Sequence, residues 1–383
     1  MAGVRSESGA VAALHFATVT VYADLYVTQP ILPLLSKEFR IAPATAGLSV
    51  SVVVLMIALV SSPYGSLSDR IGRKPVMVTS CLLLAVPTLL CAFSTSFRML
   101  VILRACQGLF MPGVTAVAVA HLGDHFTGEE LGPRVGGWIA ASVVGGLTGR
   151  VLSGVIAAAW SWRAPFLVFG VCTLAGAAAI GRALPAGRGR AVARGGSEGG
   201  LAGHFVNRRL VGAFLIGGSV FFAFIGVFTY LPYYLTAPPF RLSTALVSSV
   251  YLVYVAGVFT SILSGRLSRR IGGQAVMATG FGIAIAGVVG SLVPLLAAIV
   301  LSLVILCVGM FTVQSTAPAF VNANARGGKG AAGALYVTFY YVGASLGSYL
   351  PGYAWQVWGW PGVAAACCAA LILGLAADLV LCR

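Results

Sequence analysis

The chain has 383 residues, 59% of them hydrophobic and 9% charged, with a mean hydropathy of +0.97. Soluble domains carry about 25% charged residues, so a water-soluble fold is excluded and lipid is the solvent this composition fits. The net charge of +15 would indicate nucleic acid on a soluble chain. No basic stripe interleaved with stacking aromatics is legible, so no nucleic-acid partner is expected, and the cations read as loops held on the cytoplasmic side of a bilayer.

Twelve apolar blocks are long enough to cross about 30 Å of hydrocarbon at about 1.5 Å per residue. They lie near 11–35, 45–67, 75–95, 99–121, 134–158, 164–183, 210–234, 244–266, 275–293, 295–320, 332–357 and 361–381. The first follows only Arg5 and Glu7, is too long and lacks a cleavage signal, so it is read as a span and not as a signal peptide. An even number of spans puts both termini on one side. Seventeen cations share one face: Arg5, Arg70, Arg73, Lys74, Arg134, those from Arg182 to Arg209, those from Arg266 to Arg270, Arg326, Lys329 and Arg383. Lys37, Arg40, Arg98, Arg163 and Arg241 lie on the other. The first face is therefore expected to be cytoplasmic. Arg104 and Arg150 fall inside spans. The eight cysteines sit in or at the ends of apolar runs without CxxC spacing, as small apolar filler.

The chain repeats itself. Gly65 to Lys74 reads GSLSDRIGRK, and Gly265 to Gln274 reads GRLSRRIGGQ. Leu32–Leu35 lines up with Leu231–Tyr234, Cys106-x-Gly108-x-Phe110 with Cys307-x-Gly309-x-Phe311, and Val143–Gly154 with Tyr341–Gly352, all at offsets of 198 to 201. Several matches at one offset indicate a duplicated six-helix unit. The expected fold is an all-α membrane protein of twelve transmembrane helices in two pseudo-symmetric six-helix bundles. The bundles are expected at 1–184 and 209–383, joined by a Gly- and Arg-rich cytoplasmic linker at 185–208.

GSLSDRIGRK resembles the first-hairpin motif of the major facilitator superfamily, Gly-x-Leu-Ala-Asp-Arg-x-Gly-Arg-Lys. The fourth block, LVILRACQGLFMPG, is similar to the Arg-x-x-Gln-Gly signature of proton-driven members, at Arg104, Gln107 and Gly108. The first, YVTQPILPLLSKEF, resembles bacterial twelve-span drug:proton antiporters and sugar-efflux permeases. The corresponding antiporter element of span five is present here as SVVGGLTGR, without its proline and with an added Arg150. The resemblance implies alternating access at a midplane site between two halves, a gating role for the first hairpin, and a coupling role for Arg104.

The residues themselves add to this. Gly65 and Gly72 permit close backbone approach and a tight turn. Asp69 can face a helix N-terminus, and Arg70, Arg73 and Lys74 can pair with Asp124, Glu129 or Glu130; a plain positive-inside loop has no need of Asp69. Gly65, Asp69, Arg70, Gly72, Arg73, Lys74 and Asp124 are thus the gating candidates. Asp24 lies about 18 Å from either surface, too far to snorkel. A carboxyl carried between an apolar surrounding and a nearby cation takes up and releases a proton, so Asp24, with Arg104, is the proton-coupling candidate. A fixed hydrogen bond or ion pair is its structural alternative, and snorkelling is that of Arg104. Arg150 can meet substrate, pair with Asp24 or reach headgroups. The counterparts of Asp24, Arg104 and Arg150 in the second half are Ala223, Ile305 and Ser348, so the scaffold does not require these charges.

The second half offers tyrosines instead. Arg150, Gln29, Tyr230, Tyr233, Tyr254, Tyr340 and Gln314 are the substrate-cavity candidates. The glycines of spans five and eleven read as close helix contacts. His121 and His125 read as a helix end, with no metal expected. No Walker-type loop or Ser/His/Asp grouping is legible, so neither cofactor, ATP drive nor enzymatic activity is expected. The leading expectation is a monomeric transporter in the bacterial inner membrane, exporting a small organic molecule in exchange for protons. The alternatives are a proton symporter or facilitator importing a sugar or organic anion, and a non-transporting receptor or scaffold.

Overall fold

A computed structural model describes residues 2–185, 201–325 and 328–382. They are almost entirely helical, with no strand among them. A helix satisfies its backbone polar groups internally, which hydrocarbon demands. Eleven helices are long and apolar enough to cross a membrane. In chain order they are span 1 (Ser8–Phe39), span 2 (Pro43–Ile71), span 3 (Arg73–Cys91), span 4 (Phe97–His125), span 5 (Gly128–Ala159) and span 6 (Ala164–Ala183). Span 7 (Arg208–Thr236), span 8 (Thr244–Ile271), span 9 (Gly273–Gly290), span 10 (Leu296–Asn324) and span 12 (Trp360–Leu381) follow. The twelfth helix is span 11, Lys329–Tyr349 continued by Pro351–Trp358. Its tyrosines and serines make it more polar than the rest. Of the expected linker at 185–208, residues 186–200 lie outside the described residues, and Leu201–Val206 form a short helix.

The expected hairpin at Gly65–Lys74 is tighter than its polar composition implies. Span 2 runs helically to Ile71 and span 3 begins at Arg73, so Gly72 alone turns the chain, with φ +106°. Gly272 does the same between spans 8 and 9, with φ +88°. Only glycine occupies that region without strain. Gly65, by contrast, sits inside span 2, where an added Cβ would meet nothing within 4 Å. The close approach expected there is absent, because a helix interior facing open space imposes none.

The chain forms two compact units: Met1–Phe39 with Val52–Arg194 and Ser243–Ser249, and Arg40–Ser51 with Gly195–Leu242 and Val250–Arg383. In the first, span 1 packs on spans 5 and 6, and span 3 on spans 4 and 6. In the second, span 7 packs on spans 11 and 12, and span 9 on spans 10 and 12. Each pairing in one unit is the other's advanced by six spans, as a duplicated six-helix unit requires.

The seams explain the repeated glycines. A Cβ on Gly149 would lie 2.4 Å from the carbonyl oxygen of Ala23, and one on Gly347 would lie 2.2 Å from that of Phe222. No side chain fits there, so the backbones of spans 1 and 5, and of 7 and 11, meet directly. The pairing also sets the register of the repeat: Ala23 matches Phe222, and therefore Asp24 matches Ala223.

Candidate functional site

Span 1 is broken at its centre. Its first helix ends at Tyr26, a 3-10 turn spans Gln29–Ile31, and a second helix starts at Leu32. Pro30 accounts for the break, since it has no N–H to give the carbonyl of Tyr26. A break inside hydrocarbon must find other donors for its carbonyls. Arg104 of span 4 supplies them. Its Nη1 donates to the carbonyl of Asp24 at 2.7 Å and its Nη2 to that of Leu25, also at 2.7 Å. Ser153 of span 5 donates to the carbonyl of Val27 at 2.5 Å. The guanidinium thus lies at the negative end of a helix dipole, where a cation is favoured.

Arg104 is 0% exposed. Its position six residues from the span end had left snorkelling open; the side chain instead turns inward onto span 1. The same Nη1 donates to Oε1 of Gln107 at 2.6 Å. The i, i+3 spacing of Arg104 and Gln107 puts both on one helix face. Gln107 passes the network on, its Nε2 donating to Oγ1 of Thr88 in span 3 at 2.6 Å.

Asp24 is also 0% exposed. Its Oδ2 accepts from Oγ1 of Thr173 in span 6 at 2.9 Å and from Oγ1 of Thr88 at 3.4 Å. Its Oδ1 has no hydrogen-bond partner among the described residues. Four spans therefore converge on one carboxyl: span 1 carries it, spans 3 and 6 bond it, and span 4 holds the backbone beneath it. A buried carboxylate that lacks a donor on one oxygen is costly, whereas a carboxylic acid can place its proton there.

Arg150 lies beside this network but faces other partners. It is buried, its Nε donates to Oε1 of Gln29 at 2.6 Å, and its Nη1 donates to the carbonyl of Gly146 at 2.8 Å. Its guanidinium carbon stands 3.5 Å from the centroid of the Tyr26 ring, a cation–π contact. Of the three fates open to Arg150, the structure adds a fourth, bonding to Gln29 within its own unit.

The hairpin residues gather at the spans 2–3 turn. Arg73, buried despite its charge, pairs with Asp69 at 2.7 Å and with Asp124 of span 4 at 3.0 Å, and donates to Oγ of Ser68 at 2.5 Å. Of the three acids proposed from the sequence, Asp124 is the one Arg73 meets. Lys74 donates to the carbonyl of Leu184 at 2.6 Å, capping the end of span 6. Arg70 is exposed. In the second copy Arg269 and Arg270 are exposed, and no acid stands in the turn.

In the second unit the four candidate tyrosines split into two groups. Tyr340 stacks on Phe221 at 3.6 Å and its hydroxyl accepts from Nε2 of Gln314 at 2.6 Å. Tyr254 joins the same cluster through Phe224 and Phe228, at 4.9 and 4.6 Å. Tyr230 and Tyr233 stand apart, beside Trp355, and the Tyr230 hydroxyl donates to the carbonyl of Ser348 at 2.9 Å. That bond is a structural one.

Thr88, Thr173 and Ser153 were not among the sequence candidates. Threonine in an apolar helix is unremarkable, because its hydroxyl can bond its own backbone. The i, i+3 spacing of Arg104 and Gln107 was the one readable signal that this network continues beyond the arginine.

Two six-span units with matched internal packing, one holding an ionisable network in its interior, define a polytopic membrane protein. The chain belongs to the Major Facilitator Superfamily, whose profile matches residues 14–348. It is 33% identical to the inner membrane transport protein YnfM of Escherichia coli (strain K12) over 385 residues, covering 95% of this chain and 88% of that protein. It is 32% identical to the MFS-type transporter YybF of Bacillus subtilis (strain 168) over 354 residues, covering 92% and 88%. A crystal structure of a variant of nucleoside transporter NupG shares the fold, with a TM-score of 0.83, 12% identity and coverage of 98% and 99%.

Proposed function

We propose that the chain is a proton-coupled antiporter that exports a small organic molecule by alternating access. The observation that carries this reading is Asp24: a carboxyl with no exposure, donors on one oxygen and none on the other, set at a helix break that Arg104 spans. Its proton is taken up or released as span 1 moves between environments. Arg104 keeps the break closed in both states and holds positive charge beside the carboxyl. In the first unit Arg150 and Gln29, and in the second Tyr254, Tyr340 and Gln314, are the side chains offered to substrate; Tyr230 and Tyr233 stand apart from these beside Trp355. The turn at Gly72, held by Asp69, Arg73 and Asp124, is the gate. The chain works as a monomer in the bacterial inner membrane, with both termini in the cytoplasm; the positive-face bias and the name of YnfM support that placement.

One proton is sufficient drive. Entering down about 150 mV it yields roughly 3.5 kcal/mol, which sustains a gradient of a few hundredfold at about 1.4 kcal/mol per tenfold. The test is flux in proteoliposomes under an imposed pH gradient, with a panel of candidate substrates. Uptake driven by an acid lumen, abolished in Asp24→Asn, is the expected result. Uptake driven by acid outside would identify a symporter, and pH-independent flux unchanged in Asp24→Asn would remove Asp24 from the mechanism.

A further inference from the structure

The second unit hides an acid of its own. Asp378 lies in the last turn of span 12, is 0% exposed, and neither carboxyl oxygen has a hydrogen-bond partner among the described residues. Its backbone carbonyl accepts from the N–H of Cys382 and from Nε2 of Gln274 in span 9. Its side chain is therefore held in place by a backbone that is fully engaged, while its own oxygens are not. The C-terminal end of a helix repels an anion, and a buried charge left unpaired costs several kcal/mol. The repeat places alanines and an isoleucine at the equivalent end of span 6, so the scaffold does not call for an acid here.

Two cations, Arg208 and Arg209 of span 7, lie beside the end of span 12. Span 7 starts beside the end of span 12: Arg208 donates to the carbonyl of Val380, and the thiol of Cys382 reaches the carbonyl of Arg209 at 3.8 Å. Cys382 feels the charges of both Asp378 and Arg209. Span 9, the other long helix packed on span 12, carries no charged residue, and the Pro351–Trp358 segment carries none either. Arg209 is meanwhile engaged with span 10. Its Nη1 donates to Oδ1 of Asn324 at 3.2 Å, and Asn207 donates from Nδ2 to the carbonyl of Asn324 at 3.0 Å. The first turn of span 7 is thus latched to the last residue of span 10.

We propose that Asp378 is a second proton-binding site, separate from Asp24, whose occupancy controls that latch. With the proton on, Asp378 is a neutral acid and Arg209 stays on Asn324. With the proton off, the carboxylate draws the guanidinium across the start of span 7, and the contact with span 10 opens. The proton comes from and returns to water at the end of the helix, and no other group changes its charge. The site does not depend on Asp24 carrying protons.

The test uses the full chain in detergent, with two readouts. Infrared difference spectra taken between acidic and alkaline pH report neutral carboxyl groups. With Asp24→Asn as the background, a neutral carboxyl band is expected near neutral pH that is lost when Asp378→Asn is added. Amide hydrogen exchange of residues 208–211, corrected for its intrinsic pH dependence, reports the latch. Protection is expected to fall as the pH rises in the wild type, to stay high in Asp378→Asn, and to be low throughout in Asn324→Ala. A band that survives in the double variant Asp24→Asn/Asp378→Asn would overturn the proton site. The same exchange profile in wild type and Asp378→Asn would overturn its control of the latch.

Discussion

Replacing Arg104 with methionine keeps the length of the side chain and removes its donors. Three bonds are lost, at 2.7, 2.7 and 2.6 Å, to the carbonyls of Asp24 and Leu25 and to Oε1 of Gln107. Hydrogen bonds to a charged group contribute about 1.5–3 kcal/mol each, and buried acceptors left without donors cost about 1–3 kcal/mol. The acceptors here are buried at a helix break, and part of the loss is recovered as span 1 relaxes. A loss of about 3–6 kcal/mol follows. For a unit of this size that lowers the unfolding temperature by on the order of 10 °C. The chain carries its own reporter, since Cys81, Cys91, Cys307 and Cys367 are buried free thiols. A thiol-reactive fluorogenic dye therefore follows unfolding in detergent without added labels. Arg104→Lys should recover part of the loss, because an ammonium reaches the carbonyls but lacks the planar fork. An Arg104→Met variant that melts with the wild type would refute the claim that the guanidinium holds the break of span 1.

Five further substitutions separate structure from function. Gly149→Ala would set a Cβ 2.4 Å from the carbonyl oxygen of Ala23, so spans 1 and 5 must part, at a cost of about 1–3 kcal/mol seen as a lower unfolding temperature; Gly65→Ala, facing open space, should melt no lower than wild type. Gly72→Ala forces an L side chain to φ +106°, costing about 1–3 kcal/mol, with the same dye assay as the check. Asp69→Asn and Asp124→Asn each remove one partner of Arg73; both should insert normally and transport more slowly in proteoliposomes, and full transport by both would remove the gating role.

Much of the architecture was legible before any coordinate. Apolar length, cation placement and a repeat at one offset are local or periodic properties, and each maps directly onto a helix in lipid. Span 11 shows the limit even there: its apolar length marks it as a span, while its tyrosines and Pro351 make it polar and interrupted. The hairpin motif was readable as a turn, but its polar decade concealed that Gly72 alone makes the turn and that Gly65 is an ordinary helical residue.

The site divides in the same way. Asp24 stood out in the sequence because a charge far from either membrane surface must have a reason to be there, and Arg104 because LVILRACQGLFMPG resembles the Arg-x-x-Gln-Gly signature. Nothing in the chain order indicated that Arg104 bonds the backbone of Asp24 and Leu25, or that Thr88 and Thr173 meet at one carboxyl oxygen from spans 3 and 6. Asp378 escaped notice because three residues from a helix end an acid passes for a surface group; the packing of other helices on span 12 leaves it buried. Hydrophobicity and periodicity act along the chain, so the sequence by itself determined the number of spans, their duplication and which charges were misplaced. Hydrogen bonds between spans depend on helix rotation and register, which side chains tens of residues apart set jointly, so only the tertiary structure decided what those charges hold.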